Sequence, residues 1–371
     1  EGHKPRHVKV VAKETYVVDK VPSEYDGLTE GDMVGLVLGG SGDRLAAALS
    51  RRGEDIRATV WRIPSFRIKD LRGDSNKDDD AGLLAQLVRD RRHLFYQVEV
   101  RDRNLILVDE ALRARQEAMA SRIACEQRLR SNVVGSIFLS NTGLYPEGQI
   151  EDEFNRRAAN DVILQNLCQE ESKRAADLKR AVEATALWER IFAPIEGMGP
   201  RLAASFIAAI ADIRRFETDA KLKAFCGVHV LDDGRFPRQR GGEVANWNPS
   251  LRQALYLLGD QFNRRPESVW GQKQREYKVK LRAAHPYPVL VVKNGGPEQA
   301  YELVPGTFEH DKKTGTYTFL KSGLKAKGTQ RYGDGHILKM ATWRTLTKFV
   351  EWLHREWWNL EREYQAEREA A

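Results

Sequence analysis

The chain has 371 residues, which is enough for two or three domains, and its 60 lysines and arginines exceed its 53 aspartates and glutamates, for a formal charge of +7. This excess favours a polyanionic partner, although a charged surface is also what ordinary solvated helices present. Its three cysteines form no CxxC pair, and no apolar run is long enough for a bilayer. We therefore expect a cytoplasmic protein without a zinc site, a disulfide framework or a membrane partner.

Residues 1–94 alternate short apolar runs with helical patterns, and this alternation predicts an α/β domain. The predicted strands are His7–Val18, Met33–Leu38 and Ile56–Ile63, and the predicted helices are Asp43–Arg52 and Asp78–Arg91.

Residues 95–192 are rich in Leu, Ala, Arg, Glu and Gln. Helical patterns cover Arg103–Val134 and Ile150–Phe192, and a short segment with Gly143 and Pro146 separates them. Two long amphipathic helices around a short loop predict an antiparallel helical hairpin. The alternative is an ordinary helical subdomain that packs on its own core.

Residues 193–371 form a third, helical region that is interrupted twice. The first interruption is the polar stretch Asp232–Asn248, and the second is residues 289–332, where the runs VLVV, AYELV and TYTFL predict a small β insertion. The last predicted helix is Gly335–Tyr364. We assign its tryptophans to the core rather than to base stacking; they are Trp343, Trp352, Trp357 and Trp358, with Trp270 from an earlier helix. The whole chain is thus predicted to be α+β.

A glycine-containing turn opens this third region, in the segment IEGMGPRLAASFI. Gly197 and Gly199 stand between two predicted helices, as in a helix-hairpin-helix. Backbone amides at such a turn, with the helix start at Pro200 and the charge of Arg201, can hold a backbone phosphate. This contact positions a protein on nucleic acid without reading sequence. The alternative is a tight turn whose glycines are needed only for steric reasons.

The segments GMGPRLAASFIAAIADIRRFETDAKLKAFCGVHV and GGEVANWNPSLRQAL resemble the C-terminal domain of the insertion sequence 110 transposases. The matching positions are Gly197, Gly199, Pro200, Ala203, Asp212, Ile213, Phe216, Gly227, Asn248, Leu251 and Arg252. Weaker matches in the first region are Gly39-Gly40 and Asp80-Ala81. The resemblance covers most of the chain except the β insertion.

This resemblance implies a fold and a chemistry. The first region would be an RNase H-like domain of the RuvC type, in which four acidic residues hold divalent metals. A helical hairpin would connect it to a C-terminal domain with a nucleophilic serine. Members of the family use a structured RNA that pairs with donor and target DNA, and they act as oligomers.

The chain departs from the family at both catalytic sites. Alignment on the glycines places Leu36 at the family's glutamate, and alignment on Asp80 places Lys77 at an aspartate. An ammonium group at a ligand position would repel a divalent ion. The first family acid would lie on a strand that we do not find, and that strand could be upstream of Glu1. Asp80 is therefore the one family acid in register, with Asp78 and Asp79 pointing to other helix faces.

The family's serine position falls on Asp233, and no serine occurs between Ser205 and Ser250. A carboxylate can attack phosphorus, but its acyl phosphate product is labile and unsuited to holding a broken strand. We expect no bound metal and no cofactor, with Mg²⁺ only if the acids are misaligned.

Three hypotheses follow from these observations. The leading one is a catalytically inactive, transposase-derived protein that binds RNA or DNA, as a homo-oligomer or within a larger ribonucleoprotein. In it, arginines of the polar stretch and the next helix contact phosphates: Arg235, Arg238, Arg240 and Arg252. The second is an active RNA-guided transposase or recombinase, and the third is a scaffold that uses its helical hairpin for protein contacts. A plain solvated loop is the alternative for the arginines.

Overall fold

A computed structural model of the chain describes residues 8–11, 14–17, 28–73, 76, 79–139, 149–232, 234–238, 245–285, 287–292, 299–319 and 332–370. The chain is α+β, mostly helical with small sheets, as the sequence predicts. It divides into two compact units. Unit 1 comprises Glu1–Pro194 and Gly199–Glu217, and unit 2 comprises Ile195–Met198 and Thr218–Ala371.

The α/β part of unit 1 contains a parallel strand pair with a helical crossover. Its elements are β1 (Val8–Val11), β2 (Glu14–Val17), β3 (Met33–Leu38), α1 (Ser41–Ile56), β4 (Thr59–Pro64), α2 (Ser65–Arg72), α3 (Asp80–Asp90) and β5 (Tyr96–Gln97). Strands β3 and β4 are parallel, and β5 pairs antiparallel with β4. Strands β1 and β2 form a separate antiparallel hairpin, so the predicted single strand His7–Val18 is wrong.

The two faces of the β3–β4 sheet pack against different helices. Leu36 and Val60 pack with Ala46 of α1 on one face. On the other face, Val37 packs in a cluster with Leu84 of α3. Successive residues of a strand point to opposite faces of the sheet, so Leu36 and Val37 pack against different helices.

Helix α3 approaches β3 closely at Gly35. A Cβ added to Gly35 would lie 2.9 Å from the Leu84 carbonyl oxygen and 3.2 Å from Val88 Cβ. The absence of a side chain at Gly35 therefore sets the distance between α3 and the sheet.

The helical part of unit 1 comprises α4 (Val100–Phe138), α5 (Gln149–Asn160), α6 (Val162–Glu183), a π-helical turn (Trp188–Phe192) and α7 (Pro200–Ile210). Helices α4 and α6 pack along each other, and Glu171 accepts from Arg115 at 2.9 Å and from Arg122 at 2.6 Å. The predicted helix Ile150–Phe192 is interrupted at Asp161, whose carboxylate accepts from the Leu164 amide at 2.7 Å and begins α6.

Unit 2 contains four longer helices and the β insertion. Its elements are α8 (Asp219–Cys226), α9 (Pro249–Arg264), α10 (Val269–Ala284), β6 (Val289–Val292), β7 (Gln299–Glu302), β8 (Phe308–Asp311), β9 (Thr316–Phe319) and α11 (Asp334–Ala370). The strands form two antiparallel hairpins. Gly315 has φ +70° in the β8–β9 turn, whereas the predicted turn at Asn294-Gly295 lies outside the described residues.

The tryptophans of unit 2 do not form one cluster. Trp270 lies with its ring centroid 5.3 Å from Phe349 and 5.7 Å from Trp352, and Trp357 is buried. Trp343 instead contacts Phe236 and an arginine described below. The core assignment is therefore confirmed for Trp270 and Trp357, and Trp343 has a different environment. Among the helices that the structure describes, none is long and apolar enough to cross a bilayer.

Candidate nucleic-acid interface

Gly197 of the glycine turn is required by packing within unit 2. Its φ is +90°, a conformation that side chains rarely adopt, and an added Cβ would lie 2.9 Å from Gln261 Cβ and 3.2 Å from Arg265. The adjacent Met198 amide donates to the Ile195 carbonyl at 3.0 Å, so this amide is used inside the turn. The steric explanation therefore accounts for Gly197.

Gly199 is different, because nothing in the described structure crowds it. It is the N-cap of α7 with φ −89°, and a Cβ built there meets no atom within 4 Å. Pro200 occupies the first helical turn, where its missing N–H costs no helical hydrogen bond. Arg201 is exposed at the same helix end. The start of α7 is thus an accessible, partly positive helix terminus.

This accessibility gives a test that separates stability from binding. We expect Gly199→Ala to lower the melting temperature only slightly, because alanine is a poorer N-cap than glycine but the residue needs neither positive φ nor a close approach. Arg201→Ala should melt as the parent does, yet lower affinity for nucleic acid several-fold if the helix terminus holds a phosphate. Thermal melts and binding titrations of both variants check this. If Arg201→Ala binds nucleic acid as tightly as the parent at every salt concentration, the glycine turn only connects two helices and does not hold a phosphate.

Two further residues that match the family pattern, Asn248 and Gly227, lie near the start of α9. The Asn248 side chain accepts from the Leu251 amide at 2.9 Å and caps the helix, and the Asn248 amide donates to Phe225 at 2.8 Å. Gly227 ends α8 with φ +68°, and a Cβ on it would lie 2.7 Å from Trp247. These contacts place Trp247 against the end of α8.

Arg252 lies between two indole rings. Its guanidinium carbon is 4.7 Å from the Trp247 ring centroid and 4.9 Å from that of Trp343, and Trp343 contacts Phe236 at 6.2 Å between centroids. We call Trp247, Arg252, Trp343 and Phe236 the arginine–tryptophan stack. Burial lowers the pKa of Arg252, but an arginine stays charged at neutral pH. Its buried Nη1 has no hydrogen-bond partner among the described residues.

Two more of the predicted arginines lie close in sequence to Phe236, one member of this stack. Arg235 and Arg238 are exposed on either side of Phe236 and the buried Pro237, and the Leu231 amide donates to the Arg235 carbonyl at 2.8 Å. Arg252 and Phe236 both contact Trp343, and Arg235 and Arg238 are exposed in the loop segment that carries Phe236. The other two residues predicted here, Arg240 and Asp233, lie outside the described residues.

Asp80, the family acid in register, is already paired with an arginine. Its two carboxylate oxygens accept from Arg72 at 2.6 and 2.7 Å, and both side chains are mostly buried. Leu36 lies on the opposite face of the sheet, and Val37 is the strand residue that faces the α3 layer. An aliphatic side chain stands at either position. Lys77 and Asp78 lie outside the described residues.

The described residues around Asp80 do not fit a two-metal site. Over the described ranges, no three His, Cys, Asp or Glu side chains are grouped to hold a metal ion. The carboxylate of Asp80 is engaged by a guanidinium, and Val37, the residue of β3 that faces the α3 layer, is aliphatic.

Sequence inspection missed a network of buried charges in unit 1. Arg62 of β4 is 1% exposed, donates to Asp43 of α1 at 2.9 Å and lies 3.8 Å from Asp102 of α4. Arg214 donates to Asp102 at 2.9 Å and to Asp212 at 2.8 Å. The signal in the sequence was the single arginine inside the buried strand TVWRIP.

The two inner aspartates of this network differ in their electrostatics. Burial raises the pKa of Asp102, and the attraction of Arg214 opposes this effect only in part. Burial also acts on Asp212, but the charge and hydrogen bonds of Arg214 outweigh it and hold the pKa of Asp212 below its ordinary value. The network joins β4 and α1 to α4 and to the segment after α7, and each link is a buried ion pair or hydrogen bond.

Residues 189–268 match the sequence model of the Transposase IS116/IS110/IS902 family. No curated protein matches the chain. The matched segment contains the glycine turn, Arg235, Arg238 and Arg252. It supports the resemblance drawn from the sequence and a transposase-related function.

Proposed function

We propose that this chain is a transposase-derived nucleic-acid-binding protein that has lost the metal-dependent catalysis of the family. The observation that carries the proposal is the arginine–tryptophan stack with Arg235 and Arg238 exposed beside it, inside the segment that matches the family. Arg252 and the two exposed arginines of the loop that contacts Trp343 through Phe236 would together form a surface for backbone phosphates.

Arg252 is suited to a phosphate because it is held in place before binding. The two indoles hold the plane of its guanidinium, so less side-chain entropy is lost when a ligand binds. Arg252 is partly exposed, so a phosphate can approach the part of its guanidinium that faces solvent, whereas Nη1 is buried against Gly227.

The loss of catalysis is supported by the first region. We propose an RNase H-like origin for it from the resemblance and from the parallel β3–β4 pair with its crossover helix α1. In this fold the acids would coordinate metal, but Arg72 is paired with Asp80, and Leu36 and Val37 carry no oxygen in their side chains. Arg72 supplies the positive charge that a metal would otherwise bring to Asp80.

The salt dependence of binding tests the proposed surface. The variant Arg235→Ala/Arg238→Ala/Arg240→Ala should bind more weakly and with a flatter log–log salt slope. The slope should fall by about 0.9 for each duplex phosphate that the variant no longer neutralises, and by about 0.7 for each phosphate of a single strand. A charge-matched control replaces Arg355, Arg362 and Arg368 of α11 with alanine. Fluorescence anisotropy with RNA and DNA at several salt concentrations measures both slopes.

Each result of this experiment has a defined meaning. A slope equal to that of the parent in the loop variant, or an equal change in the α11 control, would place the binding surface elsewhere and reject the proposal. Absence of salt-dependent binding to either nucleic acid by the parent would favour the scaffold hypothesis. Mg²⁺-dependent strand cleavage by the parent would show that the chain is an active transposase.

A further inference from the structure

Tyr256 is an exposed aromatic residue on the helix that carries Arg252. Its side chain is 56% exposed, and it follows Arg252 by one turn of α9, so the two residues are neighbours on the helix surface. In the described part of the chain, its ring makes no aromatic contact and its hydroxyl no hydrogen bond. The large aromatic surface of Tyr256 is thus left to solvent beside a held guanidinium.

The next charged residue after Tyr256 on α9 is paired. One turn further along α9, the carboxylate of Asp260 accepts from Arg264 at 2.9 Å, so its charge is balanced. Leu257, the next residue, is 41% exposed and has no ring. A single exposed tyrosine is common on protein surfaces and means little alone. Its place one turn from Arg252 on the surface of α9 gives it a ligand chemistry.

We propose that Tyr256 stacks on an unpaired base, and that the surface around the arginine–tryptophan stack therefore binds single-stranded nucleic acid in preference to duplex. This inference rests on the proposed function and adds the class of substrate. In a duplex the faces of the bases are covered by their neighbours, and the phosphates alone can reach this surface. In a single strand a base can turn onto an aromatic ring while its phosphate contacts an adjacent arginine.

The test compares the variants Tyr256→Ala and Tyr256→Phe, with Leu257→Ala as the control for an exposed apolar truncation on the same helix. The ligands are oligo(U), oligo(dT), an abasic strand with the same number of phosphates, and a duplex. Tyr256→Ala should lower the affinity for oligo(U) or oligo(dT) by about tenfold, in the range measured for loss of one base–aromatic stack. The salt slope should not change, because no charge is removed.

The other variants and ligands show whether the loss of affinity is due to base stacking. Tyr256→Phe and Leu257→Ala should bind as the parent does, and Tyr256→Ala should not change binding of the abasic strand or the duplex. A larger effect with oligo(U) than with oligo(dT), or the reverse, tells which kind of strand the surface takes. Equal losses on the abasic strand, or no loss on any strand, would overturn the inference. If the loop arginine variant still flattens the slope in that case, the proposed function stands without base stacking.

Discussion

Replacing Arg62 with alanine is expected to destabilise unit 1 by about 3–5 kcal/mol, the cost of removing one partner from a buried ion pair. The side chain is 1% exposed and lies between Asp43 and Asp102. Without Arg62, Asp43 loses its buried cation, and Asp102 keeps Arg214 as its cation at hydrogen-bond distance. The deleted side chain also leaves a cavity next to the β3–β4 sheet.

The control for Arg62 is Arg89→Ala on the exposed side of α3. Arg89 pairs with Asp90 at 2.8 Å, but the two side chains are 41% and 58% exposed, so its loss should change the free energy of unfolding little. Urea unfolding gives the overall change, and hydrogen exchange of the β3 and β4 amides assigns it to unit 1. A loss below about 1 kcal/mol for Arg62→Ala, within the range of exposed pairs, would show that water already solvates this network.

The sequence predicts most elements because their patterns are local. Short apolar runs predict β3 and β4, and the segment with Gly143 and Pro146 lies between α4 and α5 in the sequence. Other features depend on contacts between distant residues. Asp161 ends one helix and caps the next, but an aspartate in a helical pattern of charged residues does not by itself mark a boundary.

The positions of the family's acidic residues show how an alignment on a few residues can select the wrong face of a strand. Alignment on Gly39-Gly40 selects Leu36, yet side chains alternate along a strand, so a shift of one residue moves the chosen position to the opposite layer. Only the packing of Gly35 and Val37 against α3 shows which side of β3 faces Asp80. Leu36 and Val37 are both aliphatic, so neither choice of position supplies a carboxylate from β3.

Only part of the proposed arginine surface could be named from the sequence. Arg235, Arg238 and Arg252 follow from charge, but Trp343, which contacts Arg252 and Phe236, lies far along the chain on α11. The useful local signal was Phe236-Pro237, an apolar pair inside a polar stretch, which indicates a loop held against the protein. The sequence does not reveal the contact of Trp343 with Arg252 and Phe236, because no residue near Trp343 distinguishes it from the tryptophans of the core.

Arg252→Ala should weaken nucleic-acid binding more than any other single arginine change in this surface. A hydrogen bond to a charged group contributes about 1.5–3 kcal/mol, or roughly tenfold to a hundredfold in affinity. Arg235 and Arg238 are exposed, so each should contribute less. The salt slope of Arg252→Ala should fall by the amount that one phosphate contributes, about 0.7 for a single strand and about 0.9 for a duplex.

Arg252→Lys separates the charge of this residue from its geometry. Lysine keeps one positive charge, but it cannot lie as a plane between two indoles or present paired N–H groups to a phosphate. We expect the lysine variant to keep a salt slope near that of the parent while losing much of the affinity. Binding titrations at several salt concentrations give both quantities, and tryptophan fluorescence reports whether Trp247 and Trp343 keep their environment. If both variants bind as tightly as the parent while fluorescence changes, Arg252 only fills the space between the rings, and the phosphate-binding role belongs to Arg235 and Arg238 alone.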